Sequence, residues 1–178
     1  MGIDLSSLKV LIKKIFPPNK CVYTVDLDND GKEDALLIRA INVVIPFEIP
    51  HEINIENLSK ERIEQEDFNF GEMFQIYLDN EKIDLSEKII DRQAIQENFF
   101  LVHKEESFTL KDILEGKLKG RTIGLGDTVD IVLRINKSNL NRLTEGNHKF
   151  RIESEVLPTL KVNFILSEDN FNIKYSFD

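Results

Sequence analysis

The chain has 178 residues, of which 41% are hydrophobic and 31% charged. That is enough for one full hydrophobic core and short for two, so the expected organisation is one domain over 1–178, and the composition excludes a disordered chain. Acidic residues outnumber basic ones 32 to 23, for a formal net charge of -9. This argues against a nucleic-acid partner, whose capture relies on Lys and Arg neutralising phosphates. The longest apolar stretch, around Asn42–Phe47, is far too short for a membrane span.

In chain order, Asp4 is placed to cap a first helix. Leu5, Leu8, Leu11, Ile12 and Ile15 recur at helical spacing, and Pro17-Pro18 ends the run. Residues 1–18 therefore read as an amphipathic helix. Residues 20–45 read as a hairpin: a strand over Lys20–Val25, a turn-rich loop over Asp26–Asp34 and a second strand over Ala35–Val44. Pro46 and Pro50 restrict the next segment to extended or edge geometry. A short surface helix is expected over Leu58–Glu66.

Beyond Met73 the pattern is β. Phe74, Ile76 and Leu78 alternate, and Asp79–Lys82 turns the chain. Phe99–His103 is a further strand. Thr109 and Asp112 have capping-box spacing, with Gly116 placed to end that helix. Gly124–Asp127 reads as a β-turn. Val129, Ile131, Leu133 and Ile135 alternate, as do Phe150, Ile152, Ser154 and Val156. Leu160–Leu166 and Phe171–Phe177, joined by Ser167–Asn170, read as a hairpin. Such alternation predicts one buried and one wet face per strand. The expected fold is mainly β, an antiparallel β-sandwich with an N-terminal amphipathic helix and one or two short helices.

Cys21 lies in an apolar extended segment and cannot form an intrachain disulfide, so it reads as a small buried hydrophobe. The N-terminus lacks the long apolar core of a secretory signal. A cytoplasmic location is the simplest expectation, and an extracellular one holds if the sequence starts at a mature N-terminus.

One motif stands above the background: Asp26-Leu27-Asp28-Asn29-Asp30-Gly31-Lys32-Glu33-Asp34. Carboxylates at alternate positions can converge on one hard cation, Gly31 permits the sharp turn, and the Lys32 carbonyl can add an oxygen. An EF-hand loop would need an acid where Leu37 stands. The candidate metal ligands are thus Asp26, Asp28, Asp30, Lys32 and Asp34, and the expected ion is a structural Ca2+. The loop resembles the calcium hairpins of integrin-type and FG-GAP/VCBS repeats, which carry Asp-x-Asp-x-Asp-Gly-x-x-Asp between two strands.

None of His51, His103 and His148 has zinc-ligand spacing to another His or Cys. His103 reads as a turn or surface residue and His148 as a packing or hydrogen-bonding one. The segment Leu143–Ile152, with Gly146 and His148, resembles the Leu, Gly, aromatic element of immunoglobulin-like and fibronectin-like sandwiches. The order of segments from Phe74 to Glu155 resembles the small β-subunits of C-glycoside deglycosidases. The matching segments are Tyr77–Lys82, Ser107–Leu114, Gly126–Val129 and Leu143–His148, with Asn80 where those proteins carry Gly. That resemblance implies a sandwich subunit that supports a catalytic partner. The expected function is therefore a non-catalytic accessory or interaction subunit that binds a protein partner or a second copy of itself. The alternatives are a calcium-stabilised extracellular adhesion module and a hydrolase or isomerase using His51 with nearby carboxylates.

Overall fold

The structure, a computed structural model, describes residues 5–49, 74–83, 97–154 and 159–175. Strands dominate the described residues. In chain order they are β1 Val22–Asp26, β2 Ala35–Ile41, β3 Phe47–Glu48, β4 Phe74–Leu78, β5 Glu81–Lys82, β6 Phe99–His103, β7 Glu106–Thr109, β8 Thr122–Ile123, β9 Thr128–Arg134, β10 Gly146–Ser154, β11 Leu160–Leu166 and β12 Ile173–Lys174. Short helices accompany them: α1 Leu5–Ile15, α2 Leu110–Leu114 and α3 Lys137–Leu140. No described helix is long and apolar enough to cross a membrane.

The strands form a six-stranded sheet in the order β12-β1-β2-β9-β6-β7, a four-stranded sheet β11-β10-β4-β5 and a small pair β3-β8. The pairing is antiparallel except between β1 and β12. The two larger sheets share one core. Val22, Leu36, Ile38 and Leu133 of the first sheet cluster with Ile76, Leu78, Phe150, Val162 and Phe164 of the second, and Cys21 and Leu143 join them. The fold is thus mainly β and sandwich-like, as the alternation of apolar residues predicts.

Two expectations are corrected. First, Leu160–Leu166 and the residues after it are not a hairpin. β11 lies in the four-stranded sheet against β10, whereas β12 runs parallel to β1 in the six-stranded sheet. The turn between them, a 3-10 helix over Glu168–Asn170, carries the chain from one sheet to the other. Second, the centre of the six-stranded sheet is not wet on its second face. Val25, Ala35, Leu37, Val102 and Val132 form a second buried cluster with Tyr23, Phe100, Ile173 and Tyr175 packed against it. The register explains this: Leu37 stands opposite Tyr23 and Val132, so alternate residues on both faces are apolar. β11 keeps the expected alternation of exposed and buried residues.

The turn chemistry obeys local rules. Asp79 and Asn80 take φ of 52° and 72° between β4 and β5, the left-handed pair of a tight hairpin. The Gly124–Asp127 turn is closed by the Asp127 amide donating to the Gly124 carbonyl at 3.1 Å. The Thr109–Asp112 capping box is present in full. The expected helix over Leu58–Glu66 lies outside the described residues, as do His51, Val156 and Phe177.

Candidate metal centre

The Asp-rich segment is the loop between β1 and β2, and its residues enter it in two ways. Asp26 is the last residue of β1 and is 1% exposed. Asp28 and Asp30 lie on the exposed turn beyond it. The turn is built by Asx bonds: the Asp28 carboxylate accepts from the Asp30 amide at 3.1 Å, and the Asp30 carboxylate accepts from the Lys32 amide at 2.8 Å. Asn29 at φ 59° and Gly31 at φ 86° supply the left-handed residues that reverse the chain. Gly31 donates its amide to Asp26 Oδ2 at 2.9 Å, so the tip folds back over the end of β1.

This arrangement brings one carboxylate oxygen each from Asp26, Asp28 and Asp30 within 4.8 Å of one another. Three acids so close repel one another in the absence of a cation. Asp26 carries the clearest demand for one. Its Oδ2 is satisfied by Gly31, but its Oδ1 is buried with no hydrogen-bond partner among the described residues. A buried, unsatisfied polar oxygen costs about 1–3 kcal/mol, and more when charged. The residues fit a hard cation: all three are oxygen donors, two face water, and the third is buried with an oxygen to spare.

The other two candidates are placed differently. Asp34 is turned to the strands. Its Oδ1 accepts from the Leu27 amide at 3.0 Å, and its Oδ2 lies 3.6 Å from Arg134 Nη1. It locks the neck of the loop, where its own amide donates to the Val25 carbonyl. The Lys32 ammonium lies 3.4 Å from Asp30 Oδ2, so this side chain offsets charge at the rim. Between them Glu33 accepts a 2.7 Å bond from the Thr24 hydroxyl, a contact that spacing alone does not suggest.

The remaining sequence candidates are engaged in holding the fold. His103, expected at the surface, is 3% exposed, with Nε2 3.3 Å from Asp127 Oδ2. It is buried because β6 carries it beside the Gly124–Asp127 turn. His148 packs as expected: its ring stacks on Phe164 at 5.4 Å, Nδ1 lies 2.7 Å from Asp79 Oδ2, and Nε2 lies 2.7 Å from the Thr144 carbonyl. Cys21 is fully buried, and burial pushes its thiol up to about 11, which makes it a poor nucleophile. A network with no signal in the sequence joins Arg39 to Asp130 by two bonds of 2.8 and 2.7 Å, with the Tyr175 hydroxyl donating to the same carboxylate at 3.2 Å. Burial and the Asp130 carboxylate together push the Tyr175 phenol well above its usual range.

Scanned against models of protein families and searched against curated proteins, the chain gives no match.

Proposed function

We propose that this chain is a non-catalytic β-sandwich module that acts by binding a protein partner, with a structural Ca2+ held in the β1–β2 loop. The observation that carries the metal part of the reading is a buried Asp26 oxygen without a partner among the described residues, on one of three carboxylates that converge. A cation there would tie the end of β1 to the loop tip and relieve the repulsion between the acids. Ca2+ suits an all-oxygen loop of flexible geometry better than Mg2+, which resists dehydration. With no bidentate acid at Leu37, affinity falls in the weak range, roughly 10⁻⁴–10⁻³ M.

Two further observations support a binding role over a catalytic one. The described histidines and the cysteine are held by structural contacts. The far end of β2 instead presents apolar surface: Val44, Ile45 and Phe47 are 53%, 77% and 46% exposed, and Leu125 is 66% exposed. Asn42 gathers these segments, its side-chain amide donating to the carbonyls of Ile123 and Gly124 at 3.0 Å each. With the resemblance over Phe74–Glu155, the partner class we infer is a carbohydrate-processing enzyme subunit.

Calorimetry with CaCl2 on the full chain should show one weak site, and the melting temperature should rise as calcium is added. The double variant Asp28→Ala, Asp30→Ala should abolish both effects. Absence of heat at millimolar calcium would dispose of the metal site. Affinity purification from the native source tests the other arm: a stoichiometric protein partner supports it, and a chain recovered alone overturns it.

A further inference from the structure

We propose that cation occupancy of the Asp26–Asp30 loop controls whether the C-terminal strand β12 stays docked on the edge of β1. The inference rests on the cation site above and adds a consequence for a distant part of the chain.

β12 has only two residues and pairs in parallel with Val25 and Asp26, the last two residues of β1. Two ladder positions alone hold a strand weakly. Ile173 and Tyr175 also pack against the second core, and the Tyr175 hydroxyl holds Asp130, but two backbone anchors lead towards the loop or the strand that carries it. The Tyr175 amide donates to the backbone carbonyl of Asp26 at 3.5 Å. The Asn172 amide donates to the Thr24 hydroxyl at 3.0 Å, and that hydroxyl donates in turn to Glu33 at 2.7 Å. Glu33 lies in the loop, between Asp30 and Asp34. The chain of contacts therefore runs from the carboxylate cluster through Asp26 on one side and through Glu33 and Thr24 on the other. Both routes end on the residues that flank β12.

The cluster is built to move when its charge changes. Asp28 and Asp30 are exposed, and their placement is fixed within the loop by local Asx bonds. Asp26 is buried with one oxygen unpaired among the described residues. Without a cation, the three acids push the tip away from the end of β1, and the orphaned Asp26 oxygen gains by moving towards water. Either movement shifts the Asp26 carbonyl and Glu33, two of the points that hold the residues flanking β12. With a cation bound, both points are fixed. The loop then acts as a latch on the C-terminal strand, and its release would uncover part of the β1 edge.

Amide hydrogen exchange on the full chain, with excess CaCl2 and with chelator, reads this directly. Asn172, Ile173, Lys174 and Tyr175 should exchange at least tenfold more slowly in calcium, whereas amides of the β10–β11 pair that exchange by local opening and not by global unfolding should not change. Asp28→Ala with Asp30→Ala should remove the difference. Thr24→Val leaves the carboxylates intact and should keep calcium binding by calorimetry while losing the calcium-dependent protection at Asn172. If calcium binds but Asn172–Tyr175 are unaffected, or if protection rises equally throughout the chain, the latch is wrong and the metal site stands. If calorimetric titration shows no calcium binding, the metal site and the latch fall together.

Discussion

Asp112 and Asp127 are both held well below the usual carboxylate range, each at about 2. For Asp112 the largest cause is the Lys117 ammonium, with the Thr109 amide and hydroxyl adding to it. For Asp127 it is the Gly124 amide, then Lys104 and His103. Because each group is more acidic folded than unfolded, its stabilisation is complete above pH ~4 and is lost as pH falls towards 2. The melting temperature should therefore drop through that window. Asp112→Asn should show a deficit at pH 7 that closes by pH 2; a deficit that stays constant with pH would mean that the Asp112 charge does not contribute. The Asp112 role is legible in the sequence, because a capping box is a spacing of three residues. The Asp127 bond to Gly124 has the same short spacing, but its contact with His103 is not legible, since it spans 24 positions of sequence. The metal candidates divide the same way. Alternating Asp residues on a tight loop announce their convergence, but Asp34 is diverted by Leu27 and by Arg134 from a distant strand.

Elements are legible where a strand's own residues decide its fate. Alternation in β4, β9, β10 and β11 identifies the strands, but it specifies which residues face a core and not which strand lies alongside. Nearness in sequence then suggests β12 as the partner of β11, and the structure separates them. The deciding residue is Asn170, 2% exposed at the corner between the sheets. Its side-chain oxygen accepts from the Ser167 amide and hydroxyl, and its side-chain amide donates to the Val22 carbonyl at 3.1 Å. Asn170→Ala should cost about 2–3 kcal/mol, since it leaves buried polar groups unsatisfied; urea unfolding measures this, and a loss under ~0.5 kcal/mol would deny Asn170 the corner. β7 is hidden in the sequence because its turn, Lys104-Glu105, carries no glycine or asparagine although both residues have positive φ, 52° and 69°.

At the scale of the molecule, the segment that follows the first helix is tied to the sandwich. Phe16 packs against the main core, and the Pro18 carbonyl accepts from the Ile165 amide at 2.7 Å. Removing residues 1–18 exposes that surface and should lower the melting temperature by roughly 10 °C, taking about 3–5 kcal/mol for the lost aromatic packing. A truncated chain that melts unchanged would make the segment dispensable to the core and free for a partner. The six-stranded sheet's double burial also belongs to this scale. Runs such as Ala35-Leu36-Leu37-Ile38 record it, because every residue of that run is buried. A strand with both faces covered has no wet side to show in its pattern.

The parallel β1–β12 pair has a consequence for synthesis. Bonds such as that from Asn170 to Val22 join residues 148 positions apart. At ribosomal rates of roughly 5–20 residues per second, the β1 edge waits about 7–30 s for the strand that covers it. During that interval the nascent chain carries an unfinished sheet edge, which is the form of the protein most exposed to strand exchange with its neighbours and most in need of a chaperone.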